Sequence, residues 1–145
     1  MIVIAIDTNL LIFAHRASAG LHPGALRALR RAVRDREGWG FPLPVVSEFW
    51  RVVTNPQLPG GASTFSDAEA FLNSMYEAGA SCWLPVAGVE RRLADMAKQM
   101  KISGPRIFDL QIALIAREAG ARQIWTHDRK FATVQGLKLL DPFGE

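Results

Sequence analysis

Residues 2–14 read Ile2-Val3-Ile4-Ala5-Ile6-Asp7-Thr8-Asn9-Leu10-Leu11-Ile12-Phe13-Ala14. Ile2 to Ile6 are apolar at every position and rich in β-branched side chains, the pattern of a short strand buried on both faces. Beyond Asp7 the apolar residues Leu10, Leu11, Phe13 and Ala14 fall at helical spacing, with Thr8 and Asn9 expected as caps at the junction. A strand buried on both faces that runs directly into a helix is the opening of an α/β domain.

The same alternation continues along the chain. A helix is expected from about His22 to Glu37, with Ala25, Leu26, Leu29 and Val33 facing inward and Arg27, Arg30, Arg31 and Arg34 outward. Trp39 to Leu43 read as a strand, and Pro44 opens a helix that ends near Asn55-Pro56. Residues 57–64 read as an exposed loop. Ser66 and Glu69 have capping-box spacing ahead of a helix reaching about Ala78. Ser81 to Pro85 form a candidate strand and Gly88 to Met100 an amphipathic helix. Ile107 to Ala119 read as a helix stopped by Gly120. Arg122 to Thr126 and Leu137 to Leu140 read as strands, separated by a short helix or turn from Asp128 to Thr133. The expectation is one α/β domain over residues 1–145, with a mostly parallel sheet covered on both faces.

Composition agrees. The 145 residues, 49% hydrophobic and 21% charged, are typical of one globular domain and exclude a disordered tail or a fibre. Cys82 is the single cysteine, which excludes an internal disulfide and a cysteine-based zinc cluster. No apolar run is long enough to span a bilayer, and the apolar N-terminus lacks a basic leader, so a soluble cytoplasmic protein is expected.

In parallel α/β folds, sites collect at the carboxyl ends of strands. Asp7 stands at one such end and Asp128 just beyond another. Glu48 shares a helix face with Val45 and Val52, and Asp109 opens a helix beside Ile112 and Ala113. Each alone has a plain explanation, as a helix cap, a turn former or the partner of an arginine. Four carboxylates in apolar surroundings together point to a hard cation, Mg²⁺ or Mn²⁺, because oxygen ligands without a His or Cys cluster suit such ions. His15, His22 and His127 are scattered without zinc-ligand spacing.

Seventeen Lys and Arg, thirteen of them Arg, face fourteen Asp and Glu. With the four candidate ligands set aside, ten acids remain against seventeen bases. An acidic pocket in a basic surface is what a metal-dependent nuclease requires. The arginines at 27, 30, 31, 34 and 36 suit either RNA or an acidic partner segment, or a simple solvated face.

Asp7-Thr8-Asn9 after the first strand, Glu48 in a mid-chain helix, Arg51 to Pro56, Phe108-Asp109 before Ile112-Ala113, and Thr126 to Phe131 together resemble the PIN-domain ribonucleases. More closely, the chain resembles a VapC-type toxin of a bacterial toxin–antitoxin pair. The resemblance covers essentially the whole chain. It implies a three-layer α/β/α domain, Mg²⁺- or Mn²⁺-dependent endoribonuclease activity, a homodimer, and a cognate VapB-type antitoxin that blocks the site. It further implies Asp7 and Asp109 as principal metal ligands, with Glu48 and Asp128 completing the acidic set through water or a second metal. Thr126 would position water or a ligand carboxylate, and Asn9 would orient Asp7. A PIN-like module that binds RNA or protein without cutting is the alternative. A haloacid-dehalogenase-like phosphatase is disfavoured, because its second Asp is replaced here by Asn9.

Overall fold

The computed structural model describes residues 2–34 and 37–144. Strands β1 (Ile4–Ile6), β2 (Trp39–Pro42), β3 (Ser81–Trp83), β4 (Gln123–Trp125) and β5 (Lys138–Leu140) form one sheet in the order β3-β2-β1-β4-β5, with every pairing parallel. Helices α1 (Thr8–His15), α2 (His22–Val33), α3 (Leu43–Val53), α4 (Phe65–Glu77), α5 (Val89–Met100) and α6 (Arg106–Glu118) complete the expected three-layer α/β/α architecture. Among the described residues, no helix is long and apolar enough to cross a membrane.

The central strand β1 is wholly buried, as its unbroken apolar run requires. From β1 the chain builds outward through β2 to β3, then returns through α5 and α6 to place β4 on the other side of β1. The sheet order therefore reverses between β1 and β4, and a crevice opens at their carboxyl ends. Ile6 pairs with Trp125, and the Asp7 amide donates to the Trp125 carbonyl at 3.0 Å, carrying the ladder one step past the strands.

Local chemistry explains several boundaries. Asp7 caps α1, accepting from the Thr8 amide, so the cap is neither Thr8 nor Asn9. Thr64 caps α4 through the Asp67 amide at 3.1 Å, two residues before the expected Ser66. Gly120, at φ +101°, ends α6 in the left-handed conformation that glycine adopts without strain. In β2, a Cβ on Gly40 would stand 2.2 Å from the Ser81 carbonyl oxygen, so only glycine lets β3 approach.

One expectation changes. Val33 lies outside the core at 45% exposure; α2 buries Ala25, Ala28, Leu29 and Ala32 instead. The helix packs chiefly against α1, and Val33 falls outside that seam. Of the two forms expected for residues 128–133, a short helix or a turn, the chain takes the turn, so β4 and β5 are joined without a helix. Phe131, Ala132, Val134 and Leu137 bury themselves in that connection and take the place of a crossover helix. Arg36, named with the arginine cluster, lies outside the described residues.

Candidate active site

The β1–β4 crevice gathers the acids from four elements. Asp7 directly follows β1, and Asp128 lies three residues beyond β4. Glu48 comes from α3 and Asp109 from the first turn of α6, and these two helices pack together. Each of the four reaches at least one other electrostatically: Asp7 feels Glu48 and Asp109, while Asp109 feels Asp128 and Glu48.

Asp7 is 7% exposed, and its carboxylate is held from both sides. Oδ1 accepts from the Thr8 amide at 2.8 Å and Oδ2 from the Thr126 hydroxyl at 2.8 Å. Burial still dominates and pushes Asp7 up to about 6, with Glu48 and Asp109 adding to the rise against these two hydrogen bonds. Asp109 is also raised, chiefly by burial and then by Asp128 and Glu48; the Ala132 amide and Arg106 oppose this without cancelling it.

Thr126 is the hub of the wiring. Its oxygen accepts from Asn9 Nδ2 at 3.0 Å and from the Asp128 amide at 3.1 Å, while its proton goes to Asp7. Asn9 therefore reaches Asp7 only through Thr126, not directly. Asn9 Oδ1 accepts in turn from the His127 amide at 3.3 Å. Asp128 accepts from the Lys130 amide at 2.9 Å, which folds the turn back on itself. Glu48 makes no ion pair among the described residues; its carboxylate accepts from the Thr8 hydroxyl at 3.2 Å.

Three participants escaped sequence reading. Thr8 was legible only as a cap, yet its side chain ties α1 to Glu48. Asp141 holds His127 Nδ1 at 3.1 Å and stands 3.7 Å from Arg129. Burial would raise Asp141, but the Phe143 amide, His127 and Arg129 outweigh it and keep the carboxyl below its usual value. An Asp-Pro pair after a strand signals a turn, and nothing local in Leu140-Asp141-Pro142 announces the ion pair. His127, which sequence spacing gave no ligand role, is held by this bond and by edge contacts with Phe13 and Phe143. His15 and His22 are taken up by Ser63 and the Phe13 carbonyl.

Among the described residues, no three Asp, Glu, His or Cys side chains stand close enough to enclose a metal ion unaided. The donor set fits a cation that keeps its water. Mg²⁺ is bound through one or two carboxylates and retains several water ligands, whereas zinc would need a tighter group of nitrogen or sulfur donors.

The family model described as PIN domain matches residues 4–137. This chain belongs to the PIN-domain family. Among curated PIN-domain relatives, Ribonuclease VapC43 of Mycobacterium tuberculosis is 29% identical over 141 residues, covering 97% of this chain and 95% of the relative. Among solved structures, VapC20 of Mycobacterium tuberculosis, described as a sarcin-ricin loop cleaving toxin, matches with a TM-score of 0.68 at 16% identity, over 88% of this chain and 92% of that one. A chain of VapBC2 from Rickettsia felis, solved on a DNA fragment from its promoter, matches with a TM-score of 0.67 at 17% identity, over 96% and 98%. At such identities the structural likeness speaks for the PIN fold alone.

Proposed function

We propose that this PIN-domain protein is a Mg²⁺- or Mn²⁺-dependent endoribonuclease acting as the toxin of a toxin–antitoxin pair. The observation that carries the reading is the gathering of Asp7, Glu48, Asp109 and Asp128 at the β1–β4 switch crevice, with Asp7 buried and raised to about 6. Carboxylates perturbed by burial and by one another in a crevice are candidates for a functional site. The ribonuclease name of the mycobacterial relative, matched over nearly the whole of both chains, supports the choice of reaction.

In this reading Asp7 and Asp109 hold the cation, while Glu48 and Asp128 act through water or a second cation. When bound, the cation supplies a water of lowered pKa and stabilises charge on a phosphoryl oxygen. The chain's own part is to present anionic oxygens in fixed directions. Thr126 turns Asp7 and favours its ionised form, and Asn9 keeps Thr126 oriented. Glu48 is steadied by Thr8, so its position follows the same helix that Asp7 caps.

The proposed partners are an RNA substrate, a VapB-type antitoxin and a second copy of this chain, in a cytoplasmic setting. Purified protein incubated with a structured RNA tests the enzyme. Discrete fragments that appear with Mn²⁺ and vanish with EDTA support it; binding without any metal-dependent cleavage would favour the non-cutting module. Growth arrest on expression, relieved by the product of an adjacent short reading frame, tests the toxin role.

A further inference from the structure

The arginines of α2 divide between two grooves. Arg27 and Arg31, one helical turn apart, face the C-terminal segment, whereas Arg30 and Arg34 border a separate depression beside Trp39 and Met75. The first groove consists of adjoining depressions of about 460 and 670 Å³ that share Arg31 and Pro142. Arg129 and Lys138 line its other wall.

This groove is firmly built and reaches the residue that follows Asp128. Gly24 of α2 lies so near Phe143 that a Cβ there would come within 2.7 Å of the ring. The Arg31 guanidinium sits 4.9 Å from the centroid of Trp125, the residue before Thr126. Arg129 directly follows Asp128. Among the described residues, Arg27, Arg31 and Lys138 make no ion pair. Asp141, the acid lining the groove, is already engaged by His127, Arg129 and the Phe143 amide.

We propose that this groove carries the phosphodiester backbone of the RNA strand on one side of the cleavage point, from Arg129 past Arg31 and Lys138 to Arg27. The proposal rests on the endoribonuclease reading and adds the path of its substrate. A pocket of four carboxylates repels a polyanion, so binding energy for RNA has to come from cations nearby. A cationic row beginning one residue from Asp128 supplies it where the strand must pass. Arginine forks suit phosphate oxygens, and such grooves hold single strands without reading their sequence. An acidic protein segment would gain from the same charges, but would have no need for them to begin beside the acids.

The test is fluorescence anisotropy with a short labelled single-stranded oligoribonucleotide, in EDTA and over a range of salt. Arg27→Gln/Arg31→Gln and Arg30→Gln/Arg34→Gln remove equal charge from the two sides of α2. The groove pair should weaken binding about ten-fold at low salt and flatten the salt dependence by a slope of about 1.4, roughly 0.7 for each lost phosphate contact. The other pair should change affinity less than about two-fold. Arg27→Gln/Lys138→Gln leaves the Arg31–Trp125 contact whole and should flatten the slope equally, which guards against misfolding of the first variant. Equal losses from both sides of α2, or RNA binding indifferent to Arg27 and Arg31, would overturn the proposal, as would loss of antitoxin binding alone. Cleavage with Mn²⁺ keeps the two readings apart. A wild type that cuts RNA but binds it without Arg27 and Arg31 removes only the track, while one that binds through the groove and never cuts removes only the nuclease.

Discussion

The Thr126 hydroxyl donates its one proton to Asp7 Oδ2 at 2.8 Å, and its oxygen already accepts from Asn9 and the Asp128 amide. Asp7 therefore faces donors at both oxygens, Thr126 at one and the Thr8 amide at the other. A carboxylate satisfies this arrangement, whereas a side-chain amide would turn its NH₂ toward one of the two donors. The wiring selects Asp at position 7 independently of any cation.

Thr126→Val should unmake that wiring while nearly preserving volume. It leaves the Asn9 amide and the Asp128 N–H without their acceptor and Asp7 Oδ2 without its donor, at a cost of about 1–3 kcal/mol. With a lowering influence gone, Asp7 should titrate above its present value of about 6. The acid limb of the cleavage pH profile should move to higher pH in the Val variant and return in Thr126→Ser. An unmoved profile would remove Thr126 from control of Asp7.

The metal-free protein should lose stability as pH rises from about 4 to about 6. Folded Asp7 keeps its proton to about pH 6, while its ordinary value is 3.8, so the folded state carries the extra proton between them. The fall amounts to about 3 kcal/mol and levels off above that window. Asp109 is raised and acts in the same direction, whereas Asp141 is held low and titrates below the window. Denaturant titrations in EDTA across this range measure the slope. A flat or rising curve would contradict the burial cost assigned to Asp7.

Asp109→Asn should abolish cleavage yet leave the metal-free protein as stable as wild type or more so. It removes one charge from a crowded set and keeps an oxygen for the Ala132 amide. It should also reduce the gain in Tm that saturating Mn²⁺ confers on the wild type, because that gain depends on affinity for the folded state. Melting curves with and without Mn²⁺ decide; an undiminished metal response takes Asp109 off the ligand list.

Gly40→Ala tests the sheet rather than the site. The added methyl meets the Ser81 backbone at 2.2 Å, and a carbonyl fixed in a strand cannot swing aside as a side chain would. A loss of about 3 kcal/mol and a fall of roughly ten degrees in Tm are expected by thermal melting. An alanine variant as stable as wild type would show that β3 can shift away from β2 at little cost.

Much of this protein was settled along the chain itself. The buried run before Asp7, the helical spacing after it and the stop at Gly120 are local patterns, because burial and backbone conformation repeat with the period of the element that holds them. The four acids were legible for the same reason, since a carboxylate among apolar neighbours breaks the pattern around it. Tertiary structure alone decided what they meet. Asp7 and Thr126 are 119 residues apart, and their hydrogen bond exists only because the sheet places β4 beside β1. The bond from Asn9 to Thr126 follows from that same pairing, and the exposure of Val33 and the division of the α2 arginines between two grooves are likewise set by tertiary packing. A residue's periodicity says which side of its element faces inward, but its partners are set by neighbouring elements, which the sequence adjacent to it does not encode.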